Sequence, residues 1–213
     1  MKSSQVISVN SANNRFTVRH LVLLALLLAV LVVLGMINIP QPAGLSITFN
    51  MIPVAIAAIA MGVRGGLIIG GAFGLISFLQ CFGVMGFSPM GAALVSASPL
   101  LMFVQRVVSR VLVGLIAAGV WKAVRGRLGF GAGGAVTGFA AAFFNTLLFM
   151  SSLVLIFGNT EYLRGLMAGR GALAYILASV GVNAVVEMIV AAVMTGAIAA
   201  ALSKSGALRK LQS

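Results

Sequence analysis

Aspartate is absent from the 213 residues, and the only acidic side chains are Glu161 and Glu187. There is one cysteine, Cys81, one histidine, His20, and charged residues make up only 8% of the chain. Each shortage removes a class of activity. A single cysteine excludes an intramolecular disulfide and a cysteine-cluster metal site. One histidine and two glutamates do not supply the usual parts for metal binding, paired-carboxylate hydrolysis or a Ser-His-Asp arrangement. A soluble domain carries about a quarter charged residues, so a chain with so few could not clothe its surface in polar groups. Strand-like alternation of apolar and polar residues is also missing, which argues against an outer-membrane barrel.

What the chain does have is apolar residues, 61% of the total, and 26 glycines. The apolar runs are about 17 to 25 residues long, enough to cross roughly 30 Å of hydrocarbon as helices. Six spans are expected, at about 20–37, 47–63, 66–83, 98–121, 133–157 and 173–202. The fold class is therefore an all-α membrane protein, a compact bundle of six transmembrane helices over residues 20–202. A flexible cytoplasmic tail (1–19), rich in Ser and Asn, and a basic cytoplasmic tail (203–213) flank it. The first span follows a basic, polar stretch as a signal peptide would, but no small-x-small cleavage site follows it.

The net charge of +12 would suggest nucleic acid in a soluble protein. Here the basic residues sit at the ends of apolar runs, so orientation in the membrane explains them and no nucleic-acid partner is expected. One side collects Lys2, Arg15, Arg19, Arg64, Lys122, Arg125, Arg127, Lys204, Arg209 and Lys210; the other collects Arg164 and Arg170. The positive-inside rule then puts both termini in the cytoplasm. The outer connections, "NIPQPAGLS", "VMGFSPMGAALVSAS" and "GNTEYLRGLMAGRGA", are long enough to act as lids. His20, beside Arg19 at the start of the first span, reads as an interfacial anchor.

Small residues recur every fourth position. Gly66, Gly70 and Gly74 form a double GxxxG on the third span, and Ala25 and Ala29 an AxxxA on the first. Such positions let helix backbones approach closely in lipid. Packing within the bundle is the reading for the glycines, and docking of a partner's helix a second reading for the alanines.

The residues least expected in hydrocarbon are Arg106 and Arg110, four apart on the fourth span. A charge there costs at least about 2.5 kcal/mol, so it faces a cavity or a partner. At a rise of about 1.5 Å per residue, Arg106 lies roughly 12 Å and Arg110 roughly 18 Å from the outer surface. Asn145 and Thr146 on the fifth span, and Asn183 and Glu187 on the sixth, fall between roughly 15 and 21 Å. Gln80 and Asn50 lie at roughly 5 Å. One economical arrangement pairs Arg110 with Glu187 and leaves Arg106 for an anionic small molecule, whose carboxylate can take two hydrogen bonds from a guanidinium. Snorkelling, or simple tying of helices, would also accommodate the arginines.

The segments "TVRHLVLLALLLAV", "ITFNMIPVAIAAIAMGVRGGLIIGGAFGLISFLQ", "SPLLMFVQRVVSRVLVGLIAAGVWKAV", "FFNTLLFMSSLVLIFG" and "NAVVEMIVAAVMTGAI" resemble, in order and spacing, the S component of energy-coupling factor (ECF) vitamin transporters. The middle segments are most similar to the pantothenate branch. The resemblance implies a substrate-binding subunit without enzymatic activity. It would capture a small anionic vitamin outside and work with a transmembrane T subunit and two ATPases. No cofactor belongs to the chain itself. ATP would be used by those partners, in keeping with the absence of a Walker A signature here. Ala25 and Ala29 would contact the T subunit. The binding residues would be drawn from Arg106, Asn145, Thr146, Asn183, Glu187, Gln80, Asn50 and Arg110. From the residues alone, a self-sufficient proton-coupled transporter of a small organic acid, using Glu187 as its proton site, remains the alternative.

Overall fold

The computed structural model describes residues 17–37, 39–40, 46–167, 169 and 171–212, with some side chains inside helices, Asn183 among them, left outside the description. The expected N-terminal tail therefore lies almost wholly outside the described residues.

In chain order the elements are α1 (Val18–Met36), β1 (Ile39–Pro40), β2 (Ser46–Ile47), α2 (Met51–Leu79), a 3-10 turn (Gln80–Phe82) and α3 (Pro89–Val95). There follow α4 (Pro99–Val124), α5 (Phe130–Phe157), α6 (Glu161–Met167), α7 (Ala172–Lys204) and α8 (Ala207–Gln212). Apart from the two-residue antiparallel ladder that pairs Ile39 with Ile47, the described regular structure is helical. Five stretches are long and apolar enough to cross a membrane: Val18–Met36, Met51–Phe82, Pro99–Val124, Phe130–Phe157 and Ala184–Lys204.

The segments expected at about 47–63 and 66–83 fall on one element, α2, which breaks at Gly62. Gly62 has φ 62° and ψ −145°, a conformation open to glycine but strained for any residue with a Cβ. The chain doubles back there. A Cβ on Gly65 would press on the carbonyl of Ala57, eight positions earlier. At the other end, Asn50 and Gln80 both approach Gly35 of α1, within 4 Å of where its Cβ would be. A straight helix would hold those two residues roughly 45 Å apart. The first arm, Met51–Ala60, is buried on every side, which suits its run of small and β-branched residues.

The second arm lies along α4, and the GxxxG glycines make that contact. A Cβ on Gly70 would stand 2.6 Å from the carbonyl oxygen of Arg110, and one on Gly74 2.7 Å from the Cα of Val107. Gly66 faces the backbone of Gly114 in the same manner. Gly134 and Gly138 of α5 repeat this against Thr195 and Ala191 of α7. Packing within the bundle thus uses all five.

Two stretches read as loops contain short helices. Ser88 caps α3, its hydroxyl accepting the Gly91 N–H at 3.2 Å, with Pro89 at the first helical position. Thr160 precedes α6, and its hydroxyl accepts the Leu163 N–H. The expected C-terminal tail also folds: α8 buries Leu208 beside Ile59 and Trp121. The imidazole of His20 accepts the Thr17 N–H through Nδ1, which leaves Nε2–H to donate to the Leu211 carbonyl at 2.7 Å. The start of α1 and the end of α8 therefore share one face of the bundle, while Gly35, Asn50 and Gln80 mark the opposite one.

Candidate functional site

α4 begins at the Ser98-Pro99 step, where the Ser98 hydroxyl accepts the Leu101 N–H. Its inward face then carries Met102, Gln105, Arg106, Ser109, Arg110 and Val113, recurring at three- and four-residue spacing. Both arginines are on this face, 6% and 5% exposed, so neither points to lipid. With Gly70 and Gly74 drawn against the α4 backbone, the second arm of α2 brings Phe73 and Ser77 alongside the guanidinium groups.

Arg106 donates through Nη1 to Ser77 Oγ at 3.0 Å and through Nη2 to Ser88 Oγ at 3.1 Å. Arg110 donates through Nη1 to the carbonyl of Arg106, one turn back, at 3.1 Å. Aromatic faces lie against both guanidinium groups as well. The Arg110 guanidinium lies 4.7 Å from the Phe73 ring centroid and 5.0 Å from that of Phe149; Arg106 lies 5.1 Å from the same Phe149 ring. Nε of each arginine is buried without a hydrogen-bond partner among the described residues.

The ion pair expected between Arg110 and Glu187 is not formed. Glu187 instead accepts the backbone N–H of Thr48 through Oε1 at 2.7 Å, tying α7 to the segment that enters α2. Arg110 takes its own helix carbonyl and two aromatic faces. The physical reason is reach: a backbone donor next to the carboxylate satisfies it locally. Among the described residues, two cations thus share a buried site with no carboxylate on either. A cation–π contact offsets part of the desolvation of a guanidinium, by about 2 kcal/mol or more where it is buried, but brings no negative charge.

The other expected site residues divide. Asn145 precedes Phe149 by four residues on α5, so the two share a helix face, and its Oδ1 is buried without a partner among the described residues. Thr146 is half-buried beside it. Asn183 is in α7, just past Gly181 (φ 23°), and its side chain lies outside the described residues. Gln80 and Asn50 gather nearer the end of α1. Gln80 Nε2 donates to the Gly35 carbonyl at 2.8 Å and the Met85 carbonyl at 3.3 Å, while Asn50 Oδ1 is buried without a partner among the described residues. Ala25 and Ala29 lie on the exposed side of α1, amid Leu21, Val22, Leu26 and Val33.

Sequence reasoning did not single out Ser77, Ser88, Phe73 or Phe149. Nor did it find the polar seam behind them, where Gln105 Nε2 and Ser152 Oγ both donate to the Phe149 carbonyl. Ser109 and Ser152 hydroxyls meet at 3.2 Å in the same seam. The Ser-Pro step at 88–89 was a readable helix start; nothing in the sequence marks Phe149 among 13 phenylalanines.

Residues 19–199 match the family described as ECF transporter, substrate-specific component. The chain is also similar to the pantothenic acid transporter PanT of Lactococcus lactis subsp. cremoris (strain MG1363), 33% identical over 196 residues. That alignment covers 86% of this chain and 93% of the relative. Together with the apolar helices, these matches make the chain a multi-pass protein of a prokaryotic plasma membrane.

Proposed function

We propose, from the premise that this chain belongs to the ECF transporter substrate-specific component family, that it captures pantothenate from outside the cell for uptake driven by ATP-hydrolysing partners. In this reading a T subunit docks along Ala25 and Ala29 of α1, and two ATPase subunits supply the energy. The bundle crosses the membrane six times, the α2 hairpin counting twice, with both termini cytoplasmic. The arginine cluster then opens toward the outer face, because it lies on the side of Gly35 and Gln80 and away from His20 and α8.

The observation that carries the proposal is the pair of buried guanidinium groups with no carboxylate partner among the described residues. A vitamin acid supplies the missing charge. Arg106 takes the carboxylate, Arg110 adds a second positive field one turn deeper, and Asn145 and Thr146 meet hydroxyl and amide groups farther along the ligand; Asn183 is assigned the same task from its position in the sequence. Gln80 and Asn50 stand nearer the mouth. Phe73 and Phe149 wall the cations and keep water from screening them, which strengthens the attraction to an anion.

Calorimetric titration of the purified protein with pantothenate tests this, with biotin, riboflavin and thiamine as comparators. Saturable binding of pantothenate, lost by more than tenfold in Arg106→Ala, is the expected result. Heats no larger than buffer for pantothenate, with a clear isotherm for one comparator, would reassign the cargo.

A further inference from the structure

Gln105 is an odd residue for the place it holds. It is 1% exposed on the inward face of α4, and its Oε1 is buried without a partner among the described residues. Its Nε2 donates at 3.3 Å to the Phe149 carbonyl of α5. That carbonyl also accepts the Ser152 hydroxyl at 3.0 Å, so it would stay satisfied without the glutamine. A buried amide with one end unpaired disfavours the fold, and an apolar side chain of the same shape would fill the space without that penalty. Stability therefore does not explain the residue.

Its position does. Among the described residues, the side-chain hydrogen bonds from α4 to α5 end on a single turn: Gln105 on the Phe149 carbonyl, and Ser109 on Ser152 at 3.2 Å. The opposite end of Phe149 is its ring, which lies against the guanidinium groups of Arg106 and Arg110. Gln105 directly precedes Arg106 in the chain. One residue of α5 is thus held to α4 twice, by its carbonyl and by its ring. A cation–π contact requires the ring face to stay over the cation, and the glutamine fixes the backbone from which that ring projects.

We infer that Gln105 is a positioning residue for acid capture: by holding the Phe149 carbonyl it keeps the ring against both guanidinium groups and so sets how they meet a carboxylate. This rests on the proposed capture of an acid and adds to it a residue that acts through Phe149 without touching the ligand. Removing it should then weaken binding of the acid while leaving the fold as stable as before, or more so.

The test is a double-mutant cycle of Gln105→Met and Phe149→Leu, the two single variants, the double variant and wild type. Each is titrated with pantothenate and with the analogue whose carboxylate is replaced by a primary alcohol, and its thermal midpoint is measured in detergent. Expected for Gln105→Met is a roughly fivefold loss toward the acid, the scale of one net hydrogen bond. Little should change toward the alcohol, and the midpoint should match or exceed that of wild type. On the Phe149→Leu background the same substitution should cost no further affinity, because the ring through which it acts is gone. If Gln105→Met does not fold, Gln105→Leu takes its place, and a marked loss of stability in both would make the residue a structural bond and overturn the inference. Equal losses toward acid and alcohol, an undiminished loss on the Phe149→Leu background, or no loss at all would overturn it too, while acid capture stands. Failure of the wild type to bind the acid would overturn the capture proposal and this inference with it.

Discussion

The ring of Phe149 serves Arg106 and Arg110 together, at 5.1 and 5.0 Å from its centroid. One aromatic face therefore sets the spacing of both cations, and its own backbone carbonyl is fixed by Gln105 and Ser152. Replacing it with leucine keeps apolar bulk and removes the π face. Phe149→Leu should weaken acid binding by about 1–2 kcal/mol, the worth of buried cation–π contacts. It should shift the thermal midpoint less than Phe149→Ala, which also opens a cavity. Titration beside melting in detergent separates the two effects, and equal affinity for Phe149→Leu and wild type would show that the ring only fills space.

Gly70 and Gly71 are neighbours with opposite tolerances. A Cβ at Gly70 would press on the Arg110 carbonyl at 2.6 Å, whereas one at Gly71 would meet only Val111 Cγ2 at 3.7 Å. Gly70→Ala should destabilise the protein by about 1–3 kcal/mol, as over-packing does, and displace the arginines on α4. Gly71→Ala should be neutral or slightly stabilising, because alanine is the better helix former. Thermal midpoints decide it, and similar values for the two variants would show that α2 and α4 are not in backbone contact here.

Arg106→Lys keeps the charge and loses the fork. A guanidinium reaches Ser77 and Ser88 at once through separate nitrogens; an ammonium is a point charge without that planar geometry. Acid binding should fall at least tenfold despite the conserved charge, with folding retained. Full affinity in the lysine variant would mean that charge alone, without directed hydrogen bonds, captures the ligand.

Much of the architecture was legible because lipid imposes it: apolar length gives helices, and glycine every fourth residue gives close backbones. The α2–α4 seam is the clearest case, since Gly66, Gly70 and Gly74 needed no knowledge of their partner helix. The reversal was legible too: the spans expected at about 47–63 and 66–83 are separated by the break at Gly62. In the site, Arg106 and Arg110 stood out by cost, whereas Phe73, Phe149 and Ser77 are ordinary residues for a membrane helix and gain their roles only from which helices adjoin. The Arg110–Glu187 pairing missed for a related reason. Charge counting sees two ionised groups at similar depth, but not the Thr48 N–H already within 2.7 Å of the carboxylate.

That bond to Thr48 separates the two transport readings through one substitution. Glu187 acts in the structure as an acceptor for a backbone donor, a task that the carbonyl oxygen of glutamine performs nearly as well. A proton-coupled carrier needs the carboxyl itself to load and release a proton, which glutamine cannot do. Glu187→Gln should therefore retain most pantothenate uptake in cells that also make the T and ATPase subunits. Glu187→Ala, which leaves the Thr48 N–H without its acceptor, should lose affinity or stability by about 1–3 kcal/mol. Uptake by either protein should vanish when the ATPases carry inactivating substitutions. Concentrative uptake that survives without the ATPases and disappears in Glu187→Gln would favour the self-sufficient carrier and leave the arginine cluster as its binding site.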